Sequence, residues 1–415
     1  MTYIPFIHKI PSINTDNIYT DNTIITSSRI NMPLISLGFH SFIHRTKSAM
    51  DIILKLETKK DFYNIVNQFE HIINDYKDDI NSYSYISLPH SKDEPPILSQ
   101  AFYKMWEILL MFDIANENIV NTMIFTEGSG SFIQAIIKFR EKFYNISKDK
   151  IYYTILPDKN ENVLSIKMDK ALIDYYPNLL FPINITKNKT INQIDLVIAD
   201  GSIEEIDENY QEQESYVLIF TEILNALKIQ AKNGNFVLKI YETFTLVTIK
   251  MIYLLTLYYD EVIIYKPYFS RNTSSEKYVI CKKFKYDQVK DKKILNNKLD
   301  KLEKTLEYMN TTRFIVDIFP QFIPETNYLD VFKYINILVA NTQQIIINKL
   351  VQYIKSNNYF GDDYHMYREN QILATKWWIS TYFVESKVDF TKLVKDTIYY
   401  NESELNLFVK TLINF

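Results

Sequence analysis

The chain has 415 residues, 47% of them apolar and 23% charged, enough for one enlarged domain or two around a substantial core. Its 46 basic and 50 acidic residues leave a net charge of −4, which argues against a uniformly basic phosphate-backbone binder, so any contact to nucleic acid has to come from a local patch. The single cysteine, Cys281, excludes an intrachain disulfide and a cysteine-based zinc cluster.

In chain order, residues 1–95 read as an irregular region, and the opening MTYIPFIHKI carries no apolar run of signal-peptide length. Its clearest helical pattern is KSAMDIILKLETKKDFYNIVNQFEHIINDY, 47–76, and Pro95-Pro96 close the region. A helix is expected over 99–112, SQAFYKMWEILLMF, with Ser99 as its N-cap and Phe102, Met105, Trp106 and Leu109 at helical spacing. From about 121, strands and helices alternate. NTMIFT reads as a strand and SFIQAIIKFREKF as a helix with Phe132, Ile133, Ile136 and Ile137 on one face. Further strands are expected at 151–156 and 194–200, then a helix over 213–233 stopped by Gly234. A strand at 235–241, a helix at 243–259 and strands at 261–267 and 276–284 follow.

This alternation predicts a mostly parallel sheet covered on both faces. The short connection between the last two strands leaves room only for an antiparallel pair. Residues from about 290 to 415 are helical in pattern. The most apolar stretch, MIYLLTLYY at 251–259, is too short to cross a bilayer, so a soluble protein of a reducing compartment is expected. The load of Ile, Asn, Lys and Tyr (32 Tyr) points to an AT-rich coding sequence and is assigned no function.

Only six glycines occur, and two of them, Gly128 and Gly130, fall together in MIFTEGSGSFIQAI, 123–136, where a strand runs into a helix. Open α/β sheets place ligands at such turns, at the carboxyl ends of their strands. The pair could equally serve only to make the turn. The third position of a dinucleotide fingerprint is Ile133, no Gly-Lys-Ser/Thr follows, and Ser129 is flanked directly by glycines, unlike a nucleophile elbow. A nucleoside-type ligand without phosphates suits the turn better than a phosphate.

Four polar residues interrupt apolar elements. Asp200 ends IDLVIAD, Lys239 lies inside NFVLKIY, Glu276 opens the last strand after SRNTSS, and Lys104 sits in the helix before the domain. A lysine in a buried strand is costly unless paired or used. Each residue alone reads as ordinary; together they suggest a proton-handling site. No histidine occurs between residues 91 and 364, so a lysine has to serve as the base. It would be held partly neutral by burial and a second ammonium.

With these residues assembled, the sequence resembles the RrmJ/FtsJ-like S-adenosylmethionine-dependent ribose 2′-O-methyltransferases, and among them the mRNA-cap, adrift-type branch. The resemblance rests on AFYKMWEIL, TEGSGSFIQAI, IDLVIADGSI, YQEQES, GNFVLKIYETFT and YKPYFSRNTSSEKYVICK, in family order across about 99–285. It implies an α/β, Rossmann-like class I methyltransferase sheet, mostly parallel with a terminal antiparallel strand. That domain would span 96–290, between an N-terminal extension (1–95) and a C-terminal helical region (291–415).

The resemblance also implies that the family's Lys-Asp-Lys-Glu tetrad falls on Lys104, Asp200, Lys239 and Glu276. Lys239 would be the base, or the group lowering the pKa of the substrate 2′-hydroxyl, with the other three orienting it. The turn Glu127, Gly128, Ser129, Gly130, Ser131 and Phe132, with Asp200, would hold S-adenosyl-L-methionine, Glu127 contacting its amino group, and no metal is implied. Ser270 and Arg271 would meet the RNA. Ser129 stands where the family carries proline, Gly130-Ser131 where it carries Gly-Gly or Gly-Ala, and Ile124 where many relatives carry aspartate.

The implied partners are capped mRNA and other capping enzymes, with no membrane, and a cytoplasmic enzyme of a large DNA virus would suit the composition. Two alternatives stay open: a ribosomal- or transfer-RNA 2′-O-methyltransferase, and a non-catalytic RNA-binding or scaffold relative. With 32 Tyr, 26 Phe and 3 Trp, the residues that would stack on a cap are not singled out. The local basic excess at 40–60 reads as a solvated helix face ahead of an RNA track.

Overall fold

The computed structural model describes residues 3–12, 18, 23–30, 32–33, 37–55, 65–70, 95–125, 128–154, 168–183, 193–203, 208–312, 314–357 and 361–413. Its first elements are β1 (Phe6–Ile10), β2 (Ile24–Thr26), α1 (Leu37–Ser48) and a 3-10 turn (Ala49–Lys55). Then come α2 (Ala101–Phe112), β3 (Asn121–Phe125), α3 (Ser131–Phe143), β4 (Lys150–Thr154), α4 (Lys170–Tyr175), β5 (Leu180–Ile183) and β6 (Ile194–Ala199). The short α5 (Gln211–Glu214) leads into α6 (Tyr216–Ile229), β7 (Gln230–Ile240), α7 (Leu246–Tyr258), β8 (Tyr259–Lys266) and β9 (Lys277–Phe284). The chain closes with α8 (Lys292–Asn310), β10 (Ile315–Ile318), α9 (Thr326–Ser356), α10 (Asp362–Tyr382) and α11 (Thr391–Ile413).

Eight strands form one sheet in the order β1-β8-β9-β7-β6-β3-β4-β5. β5, β4, β3, β6 and β7 run parallel, whereas β9 is antiparallel to both β7 and β8. This is the mostly parallel, Rossmann-like sheet with a reversed strand near one end that the alternating pattern predicts. Strands covered on both faces need apolar residues at every position, not at every second one. The run Leu196–Ala199 in β6 is accordingly fully buried. The edge strand β1 comes from the region read as irregular and pairs antiparallel with β8, Ile7 opposite Tyr265, so the sheet takes one strand from outside 96–290.

Several local expectations differ from the structure. Of the helix expected over 47–76, the described residues fall in the end of a helix over Leu37–Ser48, in the 3-10 turn Ala49–Lys55 and in turns at 65–70; residues 56–64 and 71–76 lie outside the described residues. The N-cap of α2 is Gln100, while Ser99 Oγ accepts a hydrogen bond from the Ala101 amide at 3.2 Å and lies 2.7 Å from Ser131 Oγ. Gly234 does not stop α6. That helix ends at Ile229, and Gly234 lies within β7, where a Cβ would come within 2.9 Å of the carbonyl oxygens of Ala231 and Asp195. The register slips there, from Ile194 opposite Gln230 to Leu196 opposite Asn235, and glycine admits the neighbouring backbone at this irregularity.

The strand order fixes where a ligand can enter. From β3 the chain moves outward through β4 and β5, then returns to the other side of β3 for β6 and β7. The reversal puts the topological switch point between β3 and β6, and open α/β sheets bind ligands beyond the carboxyl ends of the strands at such a point. The C-terminal helices brace this core. Trp106 on α2 donates to the Tyr382 carbonyl at 2.9 Å, and Asn336 and Gln343 on α9 donate to the carbonyls of Thr243 and Thr273 at 2.8 Å, beside the carboxyl end of β7 and the β8–β9 loop. Among the described residues no helix is long and apolar enough to cross a membrane.

Candidate active site

Four expected residues reach one rim of the sheet because of the topology. Asp200 follows β6, and Lys239 is the penultimate residue of β7. Glu276 precedes β9, which runs against β7 with Lys239 opposite Tyr278, so the start of β9 lies at the end of β7. Lys104 arrives on the first turns of α2. Lys104 Nζ pairs with Glu276 Oε1 at 2.7 Å, and Lys239 Nζ pairs with Asp200 Oδ1 at 3.1 Å. Lys239 also donates to the Asp200 carbonyl at 2.9 Å and to Ser202 Oγ at 2.8 Å.

The electrostatics correct one expectation. Burial works to lower the Lys239 pKa, but Asp200 above all, with Tyr241 and Glu276, outweighs it, and the net shift is upward. Lys239 is therefore a fixed ammonium and not the partly neutral base that the lone-lysine argument required. Its neighbouring anions decide this, since two carboxylates hold the charge that burial would remove. Glu276 behaves in parallel. Burial disfavours its charge, yet Lys104 and Lys239 bring its pKa down to about 2.

Burial outweighs the neighbouring charges at another lysine, Lys266, at the end of β8. Its ammonium donates to the carbonyls of Ser274 and Glu276 at 2.9 and 2.8 Å and lies 3.3 Å from Ser270 Oγ. Burial, only partly opposed by Glu276, lowers its pKa to about 7. The three bonds staple the 267–276 loop closed beneath Glu276. Tyr278 donates to Asp200 Oδ1 at 3.1 Å and helps fix that carboxylate. Sequence reasoning missed Lys266, Ser202 and Tyr278. The signals available were the Lys-Pro pair in YKPYFSR and the alternation that places Tyr278 across from Lys239.

The expected RNA contacts separate. Ser270 is buried, and its hydroxyl turns inward to Glu276 Oε1 at 2.7 Å. Arg271 stays partly exposed and makes a two-pronged pair with Glu70, at 2.9 and 2.8 Å.

The glycine turn lies between β3 and α3, at the switch point, although Glu127 lies outside the described residues. Gly128 and Ser129 remain partly exposed, while Gly130, Ser131 and Phe132 are buried as α3 begins. Gly130 has φ 99°, a left-handed value that costs an ordinary residue about 1–2 kcal/mol. A Cβ there would also approach Leu172 Cδ2 to 2.8 Å and Met168 Sδ to 3.2 Å. What comes close to this glycine is thus the chain's own 168–172 segment. Asp169 caps α4 through its side chain and donates its amide to the Ser129 carbonyl at 3.0 Å, fixing the turn from that side. Among the described residues no side chain caps α3. Ile124 is wholly buried in the core of β3.

Residues 97–284 match the family model described as FtsJ-like methyltransferase, a span that includes the whole rim. That part of the chain is similar to an FtsJ-like methyltransferase domain. A cap-specific mRNA (nucleoside-2′-O-)-methyltransferase 2 of Drosophila melanogaster is 28% identical over 246 residues, 54% of this chain and 34% of the relative. A cap-specific mRNA (nucleoside-2′-O-)-methyltransferase 1 of Caenorhabditis elegans is 30% identical over 192 residues, 45% of this chain and 20% of the relative. A protein of Acanthamoeba polyphaga mimivirus is 26% identical over 290 residues, 69% of this chain and 67% of that one. The chain thus spans about a third of the Drosophila relative and a fifth of the Caenorhabditis one.

Proposed function

We propose that this protein transfers the methyl group of S-adenosyl-L-methionine to a ribose 2′-hydroxyl of mRNA, at or next to the cap. The observation that carries the reading is the pair of ion pairs, Lys104–Glu276 and Lys239–Asp200, at the switch point beside the glycine turn. The cap-specific names of the relatives supply the substrate class.

The turn suits the cofactor. The N-terminus of α3 suits a carboxylate, and the partly exposed Gly128 and Ser129 let a ligand lie against main chain. Gly128–Phe132 and Asp200 would hold it, and bound there it would supply an electrophilic methyl group. The protein then has to place the 2′-oxygen in line and stabilise the negative charge that grows as its proton leaves. Lys239, held as an ammonium, stabilises that charge and does not accept the proton, which passes to solvent. Lys104 makes one hydrogen bond to a described residue, so two of its three donors remain to orient the hydroxyl. Asp200 and Glu276 hold the two ammonium groups apart and charged. Arg271 contacts RNA near the reacting ribose by exchanging Glu70 for a phosphate.

The test is transfer of radiolabel from S-adenosylmethionine to a short capped RNA, alongside the same RNA uncapped and the same RNA blocked at its 2′ positions. Label only in the capped, unblocked RNA is the expected result. Equal label in uncapped RNA would move the substrate to ribosomal or transfer RNA. RNA binding without any transfer would make the chain a non-catalytic relative.

A further inference from the structure

A second cavity lies behind the loop that carries Glu276, and nothing in the mechanism uses it. It measures about 260 Å³ and is enclosed by the lead-in to β1 (Tyr3, Phe6), by Gln68 and Phe69, by the 266–274 loop, and by one face of α9 including Thr342. Its aromatic wall is pre-set. Tyr3 meets Phe69 edge-on at 5.3 Å, Phe69 lies 5.0 Å from Tyr268, and Trp377 braces Tyr3 and Tyr268 at 4.6 and 5.1 Å. The Tyr268 hydroxyl donates to the Tyr3 carbonyl at 3.0 Å, which fixes both rings. Gln68 and Asn272 add two carboxamides, groups able to donate and accept at once.

We infer that this cavity is a nucleobase subsite, taking one unstacked base of the RNA strand whose ribose is methylated. The inference rests on the proposed function. Planar rings that stack, together with carboxamides that read both donors and acceptors on a base edge, form the chemistry by which proteins hold single-stranded bases. The position argues for a base of the same strand. Lys266 and Ser274 line the cavity and also hold the main chain of Glu276, through Lys266 Nζ to the Glu276 carbonyl at 2.8 Å and the Glu276 amide to Ser274 Oγ at 3.2 Å. A base seated there would be one residue layer from the rim where the ribose reacts. Arg271, in the same loop, is partly exposed for the intervening phosphate.

The experiment uses the full chain and capped RNAs carrying 2-aminopurine at the first, second or third transcribed position, read by fluorescence and, in parallel, by methyl transfer. One of the three probes should change its emission on binding. Thr342→Trp, which fills the cavity from an exposed site on α9, should abolish that change, and Asn272→Ala should reduce it. With stacking lost, KM for RNA should rise roughly tenfold in Thr342→Trp at a nearly constant kcat. Wild-type transfer with no probe response, or a response and KM unaltered in Thr342→Trp, would overturn the subsite and leave the methyltransferase reading intact. A probe response lost in Thr342→Trp, without transfer to any RNA, would support the subsite while the proposed reaction fails.

Discussion

The two ends of the parallel strands hold ion pairs of opposite character. At the amino end of β3, Arg140 and Asp149 are both buried, and every donor of the guanidinium is used. Two go to Asp149 at 2.7 and 3.0 Å, and three to the carbonyls of Ala115, Glu117 and Asn118 at 3.0, 2.7 and 3.2 Å. Asp149 accepts the Val120 amide as well, at 2.9 Å. That pair is complete and shapes the turn entering β3. At the carboxyl end, the side chains of Lys104 and Glu276 are each 17% exposed, and one bond joins them. The same chemistry is structural where all valences are closed and available for catalysis where some stay open.

Exchanging the roles would test this contrast most severely. Lys239→Met should lower kcat for methyl transfer roughly 10²–10⁴-fold in the molecules that stay folded. Full turnover in that variant would remove the rim from the chemistry. Arg140→Ala should do the reverse. An uncompensated buried Asp149 costs about 3–5 kcal/mol in denaturant unfolding, while the molecules that remain folded keep normal turnover.

Glu107 sharpens the comparison, because it is buried with neutral donors only. It accepts from Trp378 Nε1 at 2.7 Å, from the Tyr268 amide at 3.0 Å and from the Tyr265 hydroxyl. Burial, only partly offset by these bonds, raises its pKa from 4.5 to about 7. Between those values the folded protein keeps a proton that the unfolded chain has released. The stability from this group is therefore full below about pH 4.5 and is lost as pH rises through 7. Denaturation midpoints of the wild type and Glu107→Gln should coincide at the acid end of that window and separate as pH rises, the wild type falling below the variant; parallel curves would mean that Glu107 carries its charge in the fold.

The smallest effect is expected at Gly130. Gly130→Ala should cost about 1–2 kcal/mol from its left-handed backbone, plus a displaced Leu172. A loss of cofactor affinity by calorimetry that exceeds the loss of stability would tie this turn to the cofactor. Equal losses would leave it a folding turn.

Much of this was legible from pattern alone. β3, α3, β6, α7 and the β8–β9 pair follow from apolar runs of the right length and period, which local sequence carries without help. The edge strand β1 escaped because its five residues pair with a strand distant in sequence, Ile7 opposite Tyr265, and β5 because four residues give too little periodicity. Gly234 misled for a related reason: a glycine after a helical pattern signals a stop, but here the crowding that demands it comes from Asp195, in another strand.

The sequence by itself singled out Lys104, Asp200, Lys239 and Glu276, each of which interrupts or borders an apolar element, and the fold brings them to one rim. Only the tertiary structure decided their state. Whether a buried lysine is neutral or charged depends on which carboxylates fold against it, a sum of short-range Coulomb terms that no spacing encodes. That sum keeps Lys239 an ammonium and lowers Lys266, two residues that the linear chain presents as equivalent.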